Sequence, residues 1–287
     1  KKIKEINSGI YCFDLKVLWK ALSKVNNKNN KKEYYLTDVI EILNKDGYKT
    51  DAVALTTEEE ILGVNDRKQL AVAENILRER KNDELMANGV TIVDPKTTYI
   101  DSDVVIGQDT IIKPNTFIEG ETKIGKNCII GPATTITDSI IKDNIFITYS
   151  YIEESEIEKG VKIGPFAHIR PKSILKENVK VGNFSEVKKS VVGYGSKVNH
   201  LSYIGDAKVG KNVNIGAGTI TCNYDGKNKF QTVISDDVFV GSNVNLVAPV
   251  NIGKKVLIAA GSTITDNVSP NKLTIARARQ VVKVRKK

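Results

Sequence analysis

The chain has 287 residues, length enough for two domains, with a formal net charge of +9 at pH 7, 27% charged and 6% aromatic residues. No apolar run approaches the ~18–20 residues of a membrane helix, no secretory signal is visible, and Lys and Arg are not clustered among aromatics as nucleic-acid binding requires. Cys12, Cys128 and Cys222 are too few and too widely spaced for a disulfide framework or a zinc pattern, which fits a reducing cytoplasm.

In chain order, Ile6, Ile10, Tyr11 and Phe13, with Ile3 before them, predict a strand around the loop Asn7-Ser8-Gly9. Leu15 to Val25 has helical periodicity and runs into a polar stretch, Asn26 to Lys32. Thr37-Asp38 opens a second helix through Leu43, closed by Gly47, and Lys49 to Leu55 predicts another strand. This alternation makes residues 1–65 read as the C-terminal end of an α/β domain. Residues 66–88 predict one long helix with Leu70, Ala73, Ile76, Leu77 and Leu85 as its apolar stripe, a connector ended by Asn88-Gly89. Residue 1 is Lys and the single methionine is Met86, so the chain reads as starting inside a longer protein.

From Ile100 to about Val268 an aliphatic residue recurs every sixth place: Ile100, Ile106, Ile112, Ile118, Ile124, Ile130, Ile136, and after short slips Ile157, Ile163, Ile169, Leu175, Val181, Val187. Further runs are Val192, Val198, Ile204 and Ile234, Val240, Leu246, Ile252, Ile258, Ile264. A six-residue period suits neither a helix nor a long flat strand. It suits a short strand plus a turn, repeated so that three faces close a triangular coil and the aliphatics stack inside it. The largest break lies between Ile215 and Ile234, where residues 221–227 predict a polar loop on one face. Past Val268-Ser269-Pro270 a short basic tail follows, with Arg277, Arg279, Lys283 and Arg285; an anionic small molecule suits that tail better than DNA.

The same counting places chemistry. Arg170 and Lys188 stand three hexads apart without a slip, so they stack one coil above the other. Two such cations repel unless they share an oxyanion or phosphate, the alternative being two solvated surface charges. His200 stacks between Asn183 and Ala217, with room beside the small residue for a ligand. Histidine is the default general base near neutral pH, although a lone one also serves structure. Glu186 and Tyr203 share one position on adjacent coils and could orient His200 or bind substrate. Two histidines, His168 and His200, are one short of a three-His zinc site.

Extended motifs narrow the reading. Ile163-Gly164-Pro165-Phe166-Ala167, the run from Gly182 to Lys189, His200-Leu201-Ser202-Tyr203-Ile204-Gly205-Asp206 and the run from Asn212 to Thr219, continued by Thr221-Cys222-Asn223-Tyr224-Asp225-Gly226, resemble the acetyltransferase domain of the bacterial bifunctional GlmU family. Glu5-Ile6-Asn7-Ser8-Gly9 and Gly63-Val64-Asn65-Asp66-Arg67 resemble the end of its uridylyltransferase domain. The resemblance implies a mainly β fold, a left-handed parallel β-helix of hexapeptide repeats over residues 90–287. A linker helix at 66–89 precedes it, and before that a remnant of an α/β nucleotidyltransferase domain at 1–65.

It also implies acetyl-CoA-dependent N-acetylation of glucosamine 1-phosphate on the way to UDP-N-acetylglucosamine, in a cytoplasmic homotrimer with sites between subunits. His200 would be the base, with Arg170, Lys188, Tyr203 and Asn214 on the sugar phosphate. Ala217, Asn223, Tyr224, Ser242, Ala260 and Arg277 would line the acetyl-CoA site. Asn7 would match a sugar-nucleotide contact and Asn65 a Mg2+ ligand of the uridylyltransferase, which uses UTP. The Gly-rich nucleotide loop and the acidic metal ligand of that half are missing, so this chain is expected to acetylate without transferring UMP. The competing readings are a hexapeptide-repeat acyltransferase with another acceptor and a non-enzymatic β-helix scaffold.

Overall fold

The computed structural model describes residues 5–55 and 57–285. Two compact units divide at Glu74/Asn75. In the first, α1 (Leu15–Leu22) starts at Asp14, whose carboxylate accepts the Val17 N–H at 3.1 Å, and α2 (Asp38–Lys45) follows. Their apolar faces meet through Ala21, Val39 and Leu43, with Phe13, Val17, Leu18 and Ile42 packed around them. Both helices fall where the periodicity put them. The two strands expected beside them do not form: residues 5–14 and 49–55 pair with no strand among the described residues. The cause is physical, since an alternating segment becomes a strand only against a neighbouring edge that takes its N–H and C=O groups. Ile3 lies outside the described residues.

A third helix, α3 (Arg67–Ala87), matches the expected long helix. It stops at Gly89, whose φ of +90° lets the Gly89 and Val90 N–H groups turn back onto the carbonyls of Met86 and Leu85. In the second unit its last turns close the first coil. Leu85 enters the core, buried Asn82 donates to the carbonyls of Pro95 and Thr98, and the Arg78 guanidinium lies 4.4 Å over the Tyr99 ring.

From Thr91 onward the chain winds into a parallel β-helix with three sheets of 11, 10 and 9 short strands among the described residues. Face one runs from Thr91–Ile92 to Leu273–Thr274, face two from Thr98–Ile100 to Thr263–Ile264, and face three from Val105–Ile106 to Val250–Ile252. The hexad aliphatics stack in register: on face one Ile112, Ile130, Ile147, Ile163, Val181, Val198, Ile215, Val240 and Ile258 stand one above another. All are essentially buried and belong to one continuous core. The slips shorten individual coils and leave this inward column intact.

The corners need a separate solution, because a ladder broken there would leave buried backbone groups unpaired. Small hydroxyl residues supply it. Ser190 Oγ donates to the Lys188 carbonyl at 2.8 Å and accepts the Ala207 N–H of the next coil at 2.9 Å. Ser196 bridges the Gly210 carbonyl and the Val213 N–H in the same way. Outside these hydroxyls the chain turns through the left-handed region, at Leu201 (φ 50°) and Asp206 (φ 48°) among others.

Candidate functional site

His200 ends the face-one strand Lys197–His200, at the corner before Leu201. Its register partner one coil below is Asn183, and Asn183 Oδ1 lies 2.8 Å from His200 Nδ1. With the amide oxygen turned to it, Nδ1 carries the hydrogen and the Nε2 lone pair is left free. Hydrogen bonds between coils continue this column upward: Gly218 N–H to the His200 carbonyl, Asn243 N–H to that of Ala217, Gly261 N–H to that of Ser242. Ala217, Ser242 and Ala260 therefore follow His200 up one edge, all small, and Arg277 closes the row by donating from Nη1 to the Ala260 carbonyl at 2.8 Å. Beside this column Gly182 lets two coils approach closely: a Cβ there would stand 2.0 Å from the Asn199 carbonyl oxygen. Asn214 lies on face one in register with Lys197, three places before Ala217.

The other group of predicted residues sits at the far end of face two. Its outward positions form two columns, Tyr151–His168–Glu186–Tyr203 and Glu153–Arg170–Lys188–Gly205. Acids and bases pair diagonally between them: His168 Nε2 lies 3.2 Å from Glu153 Oε1, and Arg170 Nη1 donates to Glu186 Oε1 at 2.7 Å. One coil higher the diagonal fails, because Tyr203 stands where a carboxylate would be, and its ring folds back over Gly205. Lys188 makes no ion pair among the described residues and meets a second ammonium instead, that of Lys229. This neighbour first, then burial and the Arg170 charge, hold the Lys188 pKa below its ordinary value. Arg170 is shifted the other way, chiefly by its bond to Glu186.

Lys229 belongs to a loop over residues 223–231. Asn223, buried, donates from Nδ2 to Asp206 Oδ2 at 2.5 Å and lies 3.5 Å from the Tyr203 hydroxyl. Tyr224 is exposed and bonds within the loop to the Gly226 carbonyl. Thus Arg170, Lys188 and Tyr203 converge with Asn223, whereas His200, Ala217, Ser242, Ala260 and Arg277 share the opposite edge. Leu201 and Asp206, the corners that bound face two, are roughly 15 Å apart at ~3.3 Å per strand residue. One chain therefore carries two half-sites separated by the width of a face.

Two participants escaped the sequence reading. Lys229 stands in the loop where the hexad count stops, and no spacing relates it to Lys188. Asp206 is a corner residue, identified only by its contact with Asn223. Glu186 has the expected position, but its side chain turns to Arg170, away from His200.

The remaining predicted residues lie in the first unit. Asn7 accepts the Gly9 N–H and bonds the Tyr11 hydroxyl. Asn65 precedes α3, its N–H held by Gln69 Oε1 at 2.6 Å. Among the described residues no group of three or more His, Cys, Asp or Glu could hold a metal ion.

The repeat, the stacked core and the two polar edges define a hexapeptide-repeat β-helix protein. A family model described as bacterial transferase hexapeptide (six repeats) matches residues 103–138 and 231–266, and one described as GMPPB C-terminal domain matches 151–248. The bifunctional protein GlmU of Carboxydothermus hydrogenoformans is 54% identical over 99% of this chain and 64% of its own length. That of a Geobacillus species is 57% identical over 99% and 62%. The chain is thus similar to bifunctional GlmU proteins along almost its whole length, in keeping with its motifs, and spans a little under two thirds of the length of these relatives. Among solved structures, an Arabidopsis UDP-N-acetylglucosamine acyltransferase resembles it with a TM-score of 0.42 at 14% identity, over 63% of this chain and 67% of that one.

Proposed function

We propose that this chain catalyses acetyl transfer from acetyl-CoA to the amine of glucosamine 1-phosphate, the acetyltransferase step of UDP-N-acetylglucosamine synthesis. The observation that carries this reading is the bond from His200 to Asn183, which leaves Nε2 free at the foot of the row of small residues that ends at Arg277. Nε2 takes a proton from the sugar amine as its nitrogen forms a bond to the thioester carbonyl carbon. The carbonyl oxygen gains charge, and the Ala217 N–H, which makes no backbone hydrogen bond among the described residues, is a donor free to hold it. Collapse of the adduct breaks the C–S bond, and the CoA sulfur leaves with the proton. A covalent cysteine route is disfavoured, because burial pushes the Cys222 thiol up and no basic partner stands beside it.

Arg170 and Lys188, with Tyr203 and Asn214, would bind the sugar phosphate, and the like-charge contact at Lys188 is relieved when an anion arrives. Ala217, Asn223, Tyr224, Ser242, Ala260 and Arg277 would line the acetyl-CoA site. Since these residues are divided between two edges of face two, a complete site needs one edge of one chain against the other edge of another, which supports a homotrimer. The cytoplasm is the expected compartment, and no helix among the described residues is long and apolar enough to cross a membrane.

We assign residues 90–287 to the acetyltransferase domain, 66–89 to the linker helix and 1–65 to the uridylyltransferase domain, whose UTP- and Mg2+-dependent step belongs to the full-length relatives. The test is free-thiol release from acetyl-CoA with glucosamine 1-phosphate, comparing the chain with His200→Ala. A loss of roughly 100-fold or more is the result expected on removing a general base. No turnover with this sugar would overturn the assignment, and synthesis of UDP-N-acetylglucosamine by this chain would overturn the division of labour.

A further inference from the structure

Loop 223–231 is tied at both ends to one residue. At its start, Asn223 Nδ2 donates to Asp206 Oδ2 at 2.5 Å; at its exit, the Thr232 N–H donates to the Asp206 carbonyl at 3.2 Å. Asp206 sits at a left-handed corner, is 8% exposed, and has Lys189 Nζ 3.4 Å from its other carboxylate oxygen. Within the loop, Asp225 Oδ1 accepts the N–H groups of Lys227 and Asn228, the Phe230 N–H returns to the Asn223 carbonyl, and Tyr224 bridges to Lys229. The loop is thus internally braced, and its orientation on the coil depends on few external bonds.

That orientation has an electrostatic cost. Lys229 is brought against Lys188, with Arg170 one coil below, and separated ammonium groups would be favoured in water. A free loop would swing Lys229 away. We infer that Asp206 is a positioning residue: its carboxylate and carbonyl clamp loop 223–231 so that Lys229 is held beside Lys188 and Arg170 and completes a three-cation site for the substrate phosphate. This rests on the acetyltransferase reading for the identity of the phosphate and on geometry alone for the clamp. Asn223, the other half of the clamp, also lies against the Tyr203 hydroxyl, so loss of Asp206 reaches Asn223 directly and Tyr203 through it.

The test uses Asp206→Gly, which keeps the left-handed corner and the backbone carbonyl but removes the carboxylate. Asp206→Asn retains an acceptor for Asn223 and tolerates the same backbone. Hydrogen exchange of the loop amides is measured together with steady-state acetylation of glucosamine 1-phosphate. In Asp206→Gly the Thr232 amide, which bonds across the clamp, should exchange about tenfold faster or more, on the order of what one charge-assisted hydrogen bond supplies, while the Asn228 and Phe230 amides, bonded inside the loop, change less. Amides of the coil below should be unchanged. The KM for glucosamine 1-phosphate should rise about tenfold with kcat within about threefold, and Asp206→Asn should restore most of both.

Unchanged loop exchange in Asp206→Gly overturns the clamp. Faster exchange with an unmoved KM overturns the phosphate role while leaving the acetyltransferase standing. Equal damage from Gly and Asn overturns the carboxyl-acceptor argument. Absence of turnover in the unmodified chain is a failure of the functional reading, and the exchange data then decide the clamp by themselves.

Discussion

Asn183 Oδ1 accepts a hydrogen bond from His200 Nδ1 at 2.8 Å, across two coils whose backbones are in register at those two residues. The pairing fixes the imidazole's orientation and its tautomer together. Removing the amide in Asn183→Ala should lower kcat by about 10–100-fold, the scale of losses when the partner orienting a functional histidine is removed. KM should stay within about threefold. Asn183→Asp keeps the acceptor and should retain most of kcat, with the acid limb of the pH profile moved up by the added carboxylate. Equal losses in both variants would show that the bond does not orient the base.

The Lys188–Lys229 contact makes a pH prediction with a definite sign. The folded-state pKa of Lys188 is lowered, so its charge is lost as pH rises through a value below that of an ordinary lysine. Affinity for glucosamine 1-phosphate should therefore fall on the alkaline side earlier than 10.5. In Lys229→Gln, which removes the foremost cause of the shift, that limb should move to higher pH while the plateau affinity weakens. The pH dependence of KM in the two proteins checks it, and a limb that stays in place would refute the coupling.

Gly182 is the backbone contact beneath the base. A Cβ there would lie 2.0 Å from the Asn199 carbonyl oxygen, an atom that cannot move without shifting the strand that carries His200. Gly182→Ala should cost about 1–3 kcal/mol, as overpacking does, and should reduce kcat more than His200-independent properties such as binding of CoA at the Arg277 end. Denaturant unfolding and acetylation assays measure the two effects.

Ile152 is fully buried, paired with Ile136 below and Ile169 above. Ile152→Ala should destabilise the β-helix by about 2–5 kcal/mol, lost transfer energy plus a cavity. Because each coil contacts only its neighbours, hydrogen-exchange protection should fall most in the coils adjoining residue 152. A uniform loss along the whole helix would argue against nearest-neighbour stability.

What the sequence disclosed follows from how a solenoid stores position. With one aliphatic per turn of the count, Arg170 under Lys188 and Asn183 under His200 could be placed by arithmetic, and their registers agree. The count fails where the backbone leaves the coil, so the approach of Lys229 to Lys188 was invisible. It also says nothing about which way a side chain leans; Glu186 turns to Arg170, and the Tyr203 ring lies over Gly205. In the first unit the helices were legible from their own periodicity, whereas the strands expected at 5–14 and 49–55 depended on edges that local pattern cannot supply.

The width of face two has a genetic meaning. A chain with His200→Ala is damaged at one edge, and a chain with Lys188→Ala at the other. If sites form between chains, each inactive protein supplies what its companion lacks. Coexpressed and randomly assorted, the pair should recover about a quarter of the native number of intact sites, because each site draws one edge from each of two neighbours. Two dead variants would then make a living enzyme, and a site contained in a single chain would leave the mixture as inactive as its parts.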